Sequence, residues 1–134
     1  MGKIGGAILF DEGNADAPVS RNYWADKGKK LMDENYHRLR GVEDVSAVLG
    51  INPGYFRHVF YAAFRISPKL YLSLAKIEHA RTVLRDTSLK VSDVAAAVGF
   101  RERSVFEKTF KKLVGVSPSR YRELSATVEK DTRK

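Results

Sequence analysis

The sequence predicts an all-α fold of about seven helices, and three features carry that expectation. Apolar residues recur at about the 3.6-residue spacing of one helix face. No segment alternates with period two for long enough to read as a strand. The chain also repeats itself: Val42-Glu43-Asp44-Val45-Ser46-Ala47-Val48-Leu49-Gly50 aligns with Val91-Ser92-Asp93-Val94-Ala95-Ala96-Ala97-Val98-Gly99 at an offset of 49. Beyond the glycine the offset becomes 50, pairing Phe56 with Phe106, Phe60 with Phe110, Ser67-Pro68 with Ser117-Pro118 and Tyr71 with Tyr121. A turn between Gly50 and Phe56 absorbs the extra residue.

Residues 1–23 mix Gly, Asn, Asp and Pro with the short apolar run Ala7-Ile8-Leu9-Phe10, which reads as a flexible arm or linker. A first helix is expected from about Trp24 to Arg38, carrying Leu31, Met32, Asn35 and Tyr36. The first copy of the repeat, about 42–64, reads as helix, turn, helix. Val42, Val45 and Leu49 share a face, and Gly50 stands where a helix ends in a left-handed residue. Asn52-Pro53 then supplies an N-cap and a first-turn proline, and Phe56, Val59, Phe60 and Ala63 continue the period. In the second copy, about 91–112, Val91, Val94 and Val98 precede Gly99, and Val105, Phe106, Phe110 and Leu113 follow. Between the copies a long linker helix starts at Ser67-Pro68 and runs to about Arg85, with Leu70, Leu74, Ile77, Ala80 and Leu84 on its period. A short helix after Pro118 carries Tyr121 and Leu124, and 126–134 read as a frayed polar tail. The architecture expected is therefore two helix-turn-helix subdomains joined by a linker helix.

The chain of 134 residues and 15.1 kDa has room for one compact domain or two very small ones. Lys plus Arg number 24 against 16 Asp plus Glu, a net charge of +8, which favours polyanionic partners. The stretch from Met1 to Asp26 holds two basic and four acidic groups, so the remainder carries +10. With no cysteine there is no disulfide, no thiolate metal site and no thiol nucleophile, and the composition suits a reducing cytoplasm. No apolar run approaches the roughly 18 residues of a membrane span or the h-region of a signal peptide, so no membrane association is expected.

A short helical hairpin can place its second helix in the DNA major groove, although any helical hairpin shares the pattern. With the phenylalanines turned inward, the second helix of the first copy shows Gly54, Arg57, His58 and Tyr61. The second helix of the second copy shows Arg103, Ser104, Glu107, Lys108 and Lys111, preceded by Arg101 and followed by Lys112. Arg can donate two bonds to guanine O6 and N7, and Glu can accept from cytosine N4. Lys112 is expected on a phosphate. The plainer reading is a solvated helix face, but two basic faces at equivalent places in two repeats weigh against it.

Other chemistries find little support. Gly2-Lys3 lacks the rest of a phosphate loop. His37, His58 and His79 are spaced 21 apart with no metal-ligand pattern, so neither metal nor cofactor is expected. The acids Asp33-Glu34 and Glu43-Asp44 are adjacent rather than opposed, and read as solvated groups or helix N-terminal charges. No nucleophile-base constellation suggests an enzyme.

From about Trp24 to Leu124 the chain resembles the DNA-binding domain of the AraC/XylS family of bacterial transcription regulators. The second repeat carries the likeness: Val91-Ser92-Asp93-Val94-Ala95, then Gly99-Phe100 with Phe106, Phe110 and Lys111-Lys112, then Gly115-Val116-Ser117-Pro118-Ser119-Arg120-Tyr121-Arg122. Val105 stands where the family usually has an aromatic residue, Lys76 where it has Arg, and Arg65 where the first copy has Gly. Gly54 replaces a large side chain with which some members reach a base. The resemblance implies two units in adjacent major grooves on one face of double-stranded DNA, with Arg57, His58, Arg103, Ser104, Glu107 and Lys108 facing bases. It further implies a nucleoid-associated, cytoplasmic regulator and an RNA polymerase partner. The internal repeat implies binding as a monomer. Members commonly carry a separate effector or receiver domain, so the chain is either a short regulator or a piece of a longer one. Some repair methyltransferases carry a similar helical domain, but their alkyl acceptor is a cysteine, absent here. A helical protein-protein adaptor is the alternative. The linker helix, roughly 27 Å long, is short against grooves recurring about 34–36 Å apart, which calls for bent DNA or one shallower unit.

Overall fold

The computed structural model describes residues 3–4, 6–10 and 21–133, with side chains from 22 to 127. Among these residues there are seven α-helices: α1 Arg21–Asn35, α2 Val42–Leu49, α3 Pro53–Phe64, α4 Pro68–Asp86, α5 Val91–Ala97, α6 Arg103–Val114 and α7 Pro118–Arg133. A 3₁₀ turn, Tyr36–Arg38, follows α1. The class is all-α, as the apolar period requires. Ahead of the helices lies a short antiparallel pair, β1 Lys3–Ile4 and β2 Gly6–Phe10, with Ile4 opposite Leu9. The arm was expected to hold no strand. Its apolar run is too short for a helix, and in the extended form its backbone N–H and C=O groups can pair with those of Lys3–Ile4.

The chain divides into two compact units, Met1–Leu31 with Val42–Pro68, and Met32–Gly41 with Lys69–Lys134. In the first, Val42 and Val45 of α2 are buried with Phe56, Val59 and Phe60 of α3, and Ala25 of α1. Gly28 in mid-helix explains itself here: a Cβ on it would lie 2.2 Å from Cε1 of Phe56, so the ring occupies the space a side chain would fill. The phenylalanines of α3 stack along the helix, Phe56 to Phe60 at 5.5 Å and Phe60 to Phe64 at 4.8 Å between centroids.

The second unit packs Ile77, Ala80 and Leu84 of α4 against Val91, Val94, Ala95 and Val98, and against Phe106 and Phe110 of α6. The helix read as a linker thus supplies one wall of this core. Its buried line is Leu72, Lys76, Ala80 and Leu84, flanked by Ile77, whereas Leu70 and Leu74 are exposed, contrary to expectation. The lysine disguised the line. Its stem is buried, and Nζ donates to the Gly99 carbonyl at 3.1 Å and sits 5.3 Å from the Phe100 ring centroid. Val105, placed on the core period by sequence, is also exposed, because the inward direction of α6 is set by Phe106 and Phe110.

Helix α7 corrects the expected short helix and frayed tail. It continues through Arg133, since no Gly or Pro follows Pro118 to stop it. Near its start Arg122 donates from Nε to the Leu84 carbonyl at 2.9 Å, satisfying an otherwise orphaned group in the last turn of α4. Tyr121 accepts hydrogen bonds from Arg81 and Arg85, each 3.3 Å away. Burial alone would raise the pKa of this phenol, but the hydrogen bonds from the two guanidinium groups outweigh it and hold the value below the ordinary one.

Candidate nucleic-acid interface

Each helix-turn-helix is closed by the same backbone device. Gly50 (φ 74°) and Gly99 (φ 98°) adopt left-handed conformations. In the first, the N–H of Ile51 donates to the Ser46 carbonyl at 3.1 Å and that of Gly50 to Ala47 at 3.2 Å. In the second, Phe100 donates to Ala95 at 2.9 Å and Gly99 to Ala96 at 3.1 Å. This is the paired six-to-one and five-to-two closure that ends a helix and turns the chain sharply into the next. Asn52 then caps α3, its side chain accepting from the Tyr55 N–H at 3.1 Å, with Pro53 in the first turn.

The turn presents one side of α3 and of α6 to solvent. On α3, Phe56, Val59 and Phe60 point inward, and Gly54, Arg57, His58 and Tyr61 are all exposed. On α6, Phe106 and Phe110 point inward; Arg103, Ser104, Lys108, Lys111 and Lys112 are exposed, as is Arg101 ahead of the helix, and Glu107 is half-buried. Lys111 and Lys112 lie in the last turn, where their charge also complements the helix dipole. The structure therefore gathers Gly54, Arg57, His58 and Tyr61 on one surface of the first unit. It gathers the second set on one surface of the second.

Two features of these faces were missed. Arg57 is not a free side chain: its Nη2 donates to Oε2 of Glu43 on α2 at 2.8 Å. Arg103 is likewise engaged, donating through Nε to Oε2 of Glu107 one turn along α6. Glu43 and Asp44 do lie in the first turn of α2, as charges at a helix N-terminus should. The link from Glu43 to a residue fourteen positions away had no sequence signal beyond opposite charge. Two further exposed groups, Tyr55 and Val105, flank the faces at equivalent repeat positions.

The histidines form no common cluster among the described residues. His37 and His58 are exposed, and His79 stacks on Tyr36 with centroids 3.9 Å apart and planes 7° from parallel. Among the described residues no cluster of three or more His, Asp or Glu could hold a metal, and no helix is long and apolar enough to cross a membrane.

A family model for a helix-turn-helix domain matches residues 45–124. The melibiose operon regulatory protein of Escherichia coli K12 is 37% identical over 95 residues, which are 71% of this chain and 32% of that protein. The chain thus spans about a third of the length of the curated relatives it matches. Among solved structures, the C-terminal domain of AraT, a response regulator from Geobacillus stearothermophilus, aligns with a TM-score of 0.71 and 26% identity, covering 75% of this chain and 84% of that one. The DNA-binding domain of AdpA, described as a global transcriptional factor in complex with a target DNA, aligns at 0.69 with 23% identity, covering 75% and 90%. At that identity the second likeness is one of fold alone.

Proposed function

Because the chain belongs to the AraC/XylS family of helix-turn-helix proteins, we propose that it binds double-stranded DNA sequence-specifically and regulates bacterial transcription. Helices α3 and α6 each enter a major groove, the two grooves adjacent on one face of the duplex. The observation that carries this reading is the repeated geometry: twice, a left-handed glycine turn delivers a second helix whose phenylalanines are buried and whose opposite side is exposed and carries basic groups. Arg57 and His58 in the first unit, and Arg103, Ser104 and Lys108 in the second, face base edges. Glu107 accepts from Arg103 as well as from a base, and Lys111 and Lys112 contact phosphates.

One chain holds both reading units, so a monomer suffices and its half-sites run in direct orientation. Contact with RNA polymerase, action at the nucleoid in the cytoplasm and the absence of turnover belong to the same proposal. The adaptor alternative predicts no salt-dependent duplex binding. Titration with duplex DNA at rising salt decides between them. If about 6–10 phosphates are neutralised, affinity falls by roughly 10³–10⁵ between about 50 and 200 mM salt. A flat response removes the DNA reading.

A further inference from the structure

We infer that Glu43 is a positioning residue for base readout by Arg57, an inference that rests on the DNA-binding reading above. A carboxylate on a surface meant for a polyanion is costly, because it repels the phosphates that supply most of the attraction. Glu43 is such a group: it is exposed, on the first turn of α2, and bonded at 2.8 Å to the arginine best placed for a bidentate guanine contact. The pair contributes little stability, since the side chains of Arg57 and Glu43 are 50% and 72% exposed and such ion pairs are screened by water. What it changes is the arginine. A guanidinium has five N–H donors in a rigid fork, and a bond from Nη2 to Glu43 occupies one of them, leaving Nη1 and the second Nη2 hydrogen to reach O6 and N7 together.

Two consequences follow for DNA. The pair biases the fork toward one orientation before binding, so less side-chain freedom is lost when it meets a base. The pair is also neutral as a unit, so Arg57 adds little attraction to a phosphate on random sequence. Glu43 thus lowers non-specific affinity and raises discrimination, the repulsive half of a specific interface. The second repeat has no such arrangement. The position equivalent to Arg57 is Glu107, the position equivalent to Glu43 is Ser92, and the paired arginine, Arg103, comes from the same helix as its carboxylate.

The test compares the unaltered chain with Glu43→Gln, Glu43→Asp, Arg57→Ala and the double variant Glu43→Gln/Arg57→Ala. Each is titrated against a duplex selected from a random pool, its single-base variants and a random duplex, with thermal unfolding recorded alongside. Glu43→Gln should bind random duplex about two- to threefold more tightly, as one screened like charge is removed. Its discrimination should fall about fivefold or more at a single base pair, the lower end of what one bidentate contact contributes. The unfolding midpoint should fall only slightly, by the loss of one charge at the α2 N-terminus, Glu43→Asp should recover part of the discrimination, and in the Arg57→Ala background Glu43→Gln should change the discrimination no further. The inference is overturned if Glu43→Gln keeps full discrimination, loses it evenly at all positions, or loses it without Arg57. An unaltered chain that prefers no duplex would instead overturn the DNA-binding reading on which the inference stands.

Discussion

The two helix-turn-helix units share a backbone and differ in nearly everything that holds it. Gly50 has open space around the Cβ it lacks, whereas a Cβ on Gly99 would lie 2.8 Å from the backbone oxygen of His37. Asn52 caps α3 through its side chain, but Glu102 makes no such bond to α6. Helix α3 ends on Arg65 in the left-handed region (φ 61°), and α6 ends on Gly115 (φ 103°). Arg57 is paired with a carboxylate on a neighbouring helix in the first unit, and Arg103 with one along its own helix in the second. Both units keep the turn geometry and the inward phenylalanines, which the fold requires. The caps, the residue that closes each second helix (Arg65 against Gly115) and the surface charges differ, exchanges that each cost about 0.5–2 kcal/mol.

The two turn glycines should separate most widely. Gly99→Ala combines left-handed strain with a clash against fixed backbone, and should destabilise α5–α6 by about 2–5 kcal/mol. Gly50→Ala meets only the strain and should cost α2–α3 about 1–2 kcal/mol. Amide hydrogen exchange read separately on the two helix pairs checks this, and equal effects would mean that Gly99 is not confined as described. Next, Arg57→Ala should cost about 1–3 kcal/mol and relax preference at one base pair, as base readout requires. Lys112→Ala should weaken all duplexes alike and lower the salt slope by about 1. Titration against the selected site, its single-base variants and random duplex separates the two, and uniform weakening by Arg57→Ala would make Arg57 a phosphate contact.

Smaller effects sharpen the contrast at the helix ends. Asn52→Ala should cost about 1 kcal/mol in thermal unfolding, the usual worth of a side-chain cap, against little for Glu102→Ala. Arg65→Gly should stabilise α3 by about 0.5–1 kcal/mol, the left-handed penalty relieved less the added freedom of glycine in the unfolded chain. A loss of stability would show that the Arg65 side chain contributes more than its backbone strain removes.

Much of this was legible because helix ends are written locally. Gly50, Asn52-Pro53, Ser67-Pro68 and Gly99 mark boundaries that the structure keeps within a residue or two. The inward phenylalanines were legible for the same reason, being large groups on one period. What escaped depends on neighbours distant in sequence. Lys76 is buried because the Gly99 carbonyl and the Phe100 ring receive it, Gly28 is required by the ring of Phe56, and Glu43 matters because α3 brings Arg57 to it. Val105 escaped for another reason: an apolar residue beside a buried one need not be buried, and one step around a helix turns a side chain by about 100°.

The central claim is that one chain carries two reading helices for adjacent grooves, and selection of bound duplexes from a random pool tests it most directly. The enriched sequences should contain two different half-sites in direct orientation, about one helical turn of DNA apart (roughly 10–10.5 base pairs), bound by a single chain. A palindromic site occupied by two chains, or a pool that enriches nothing, would contradict it.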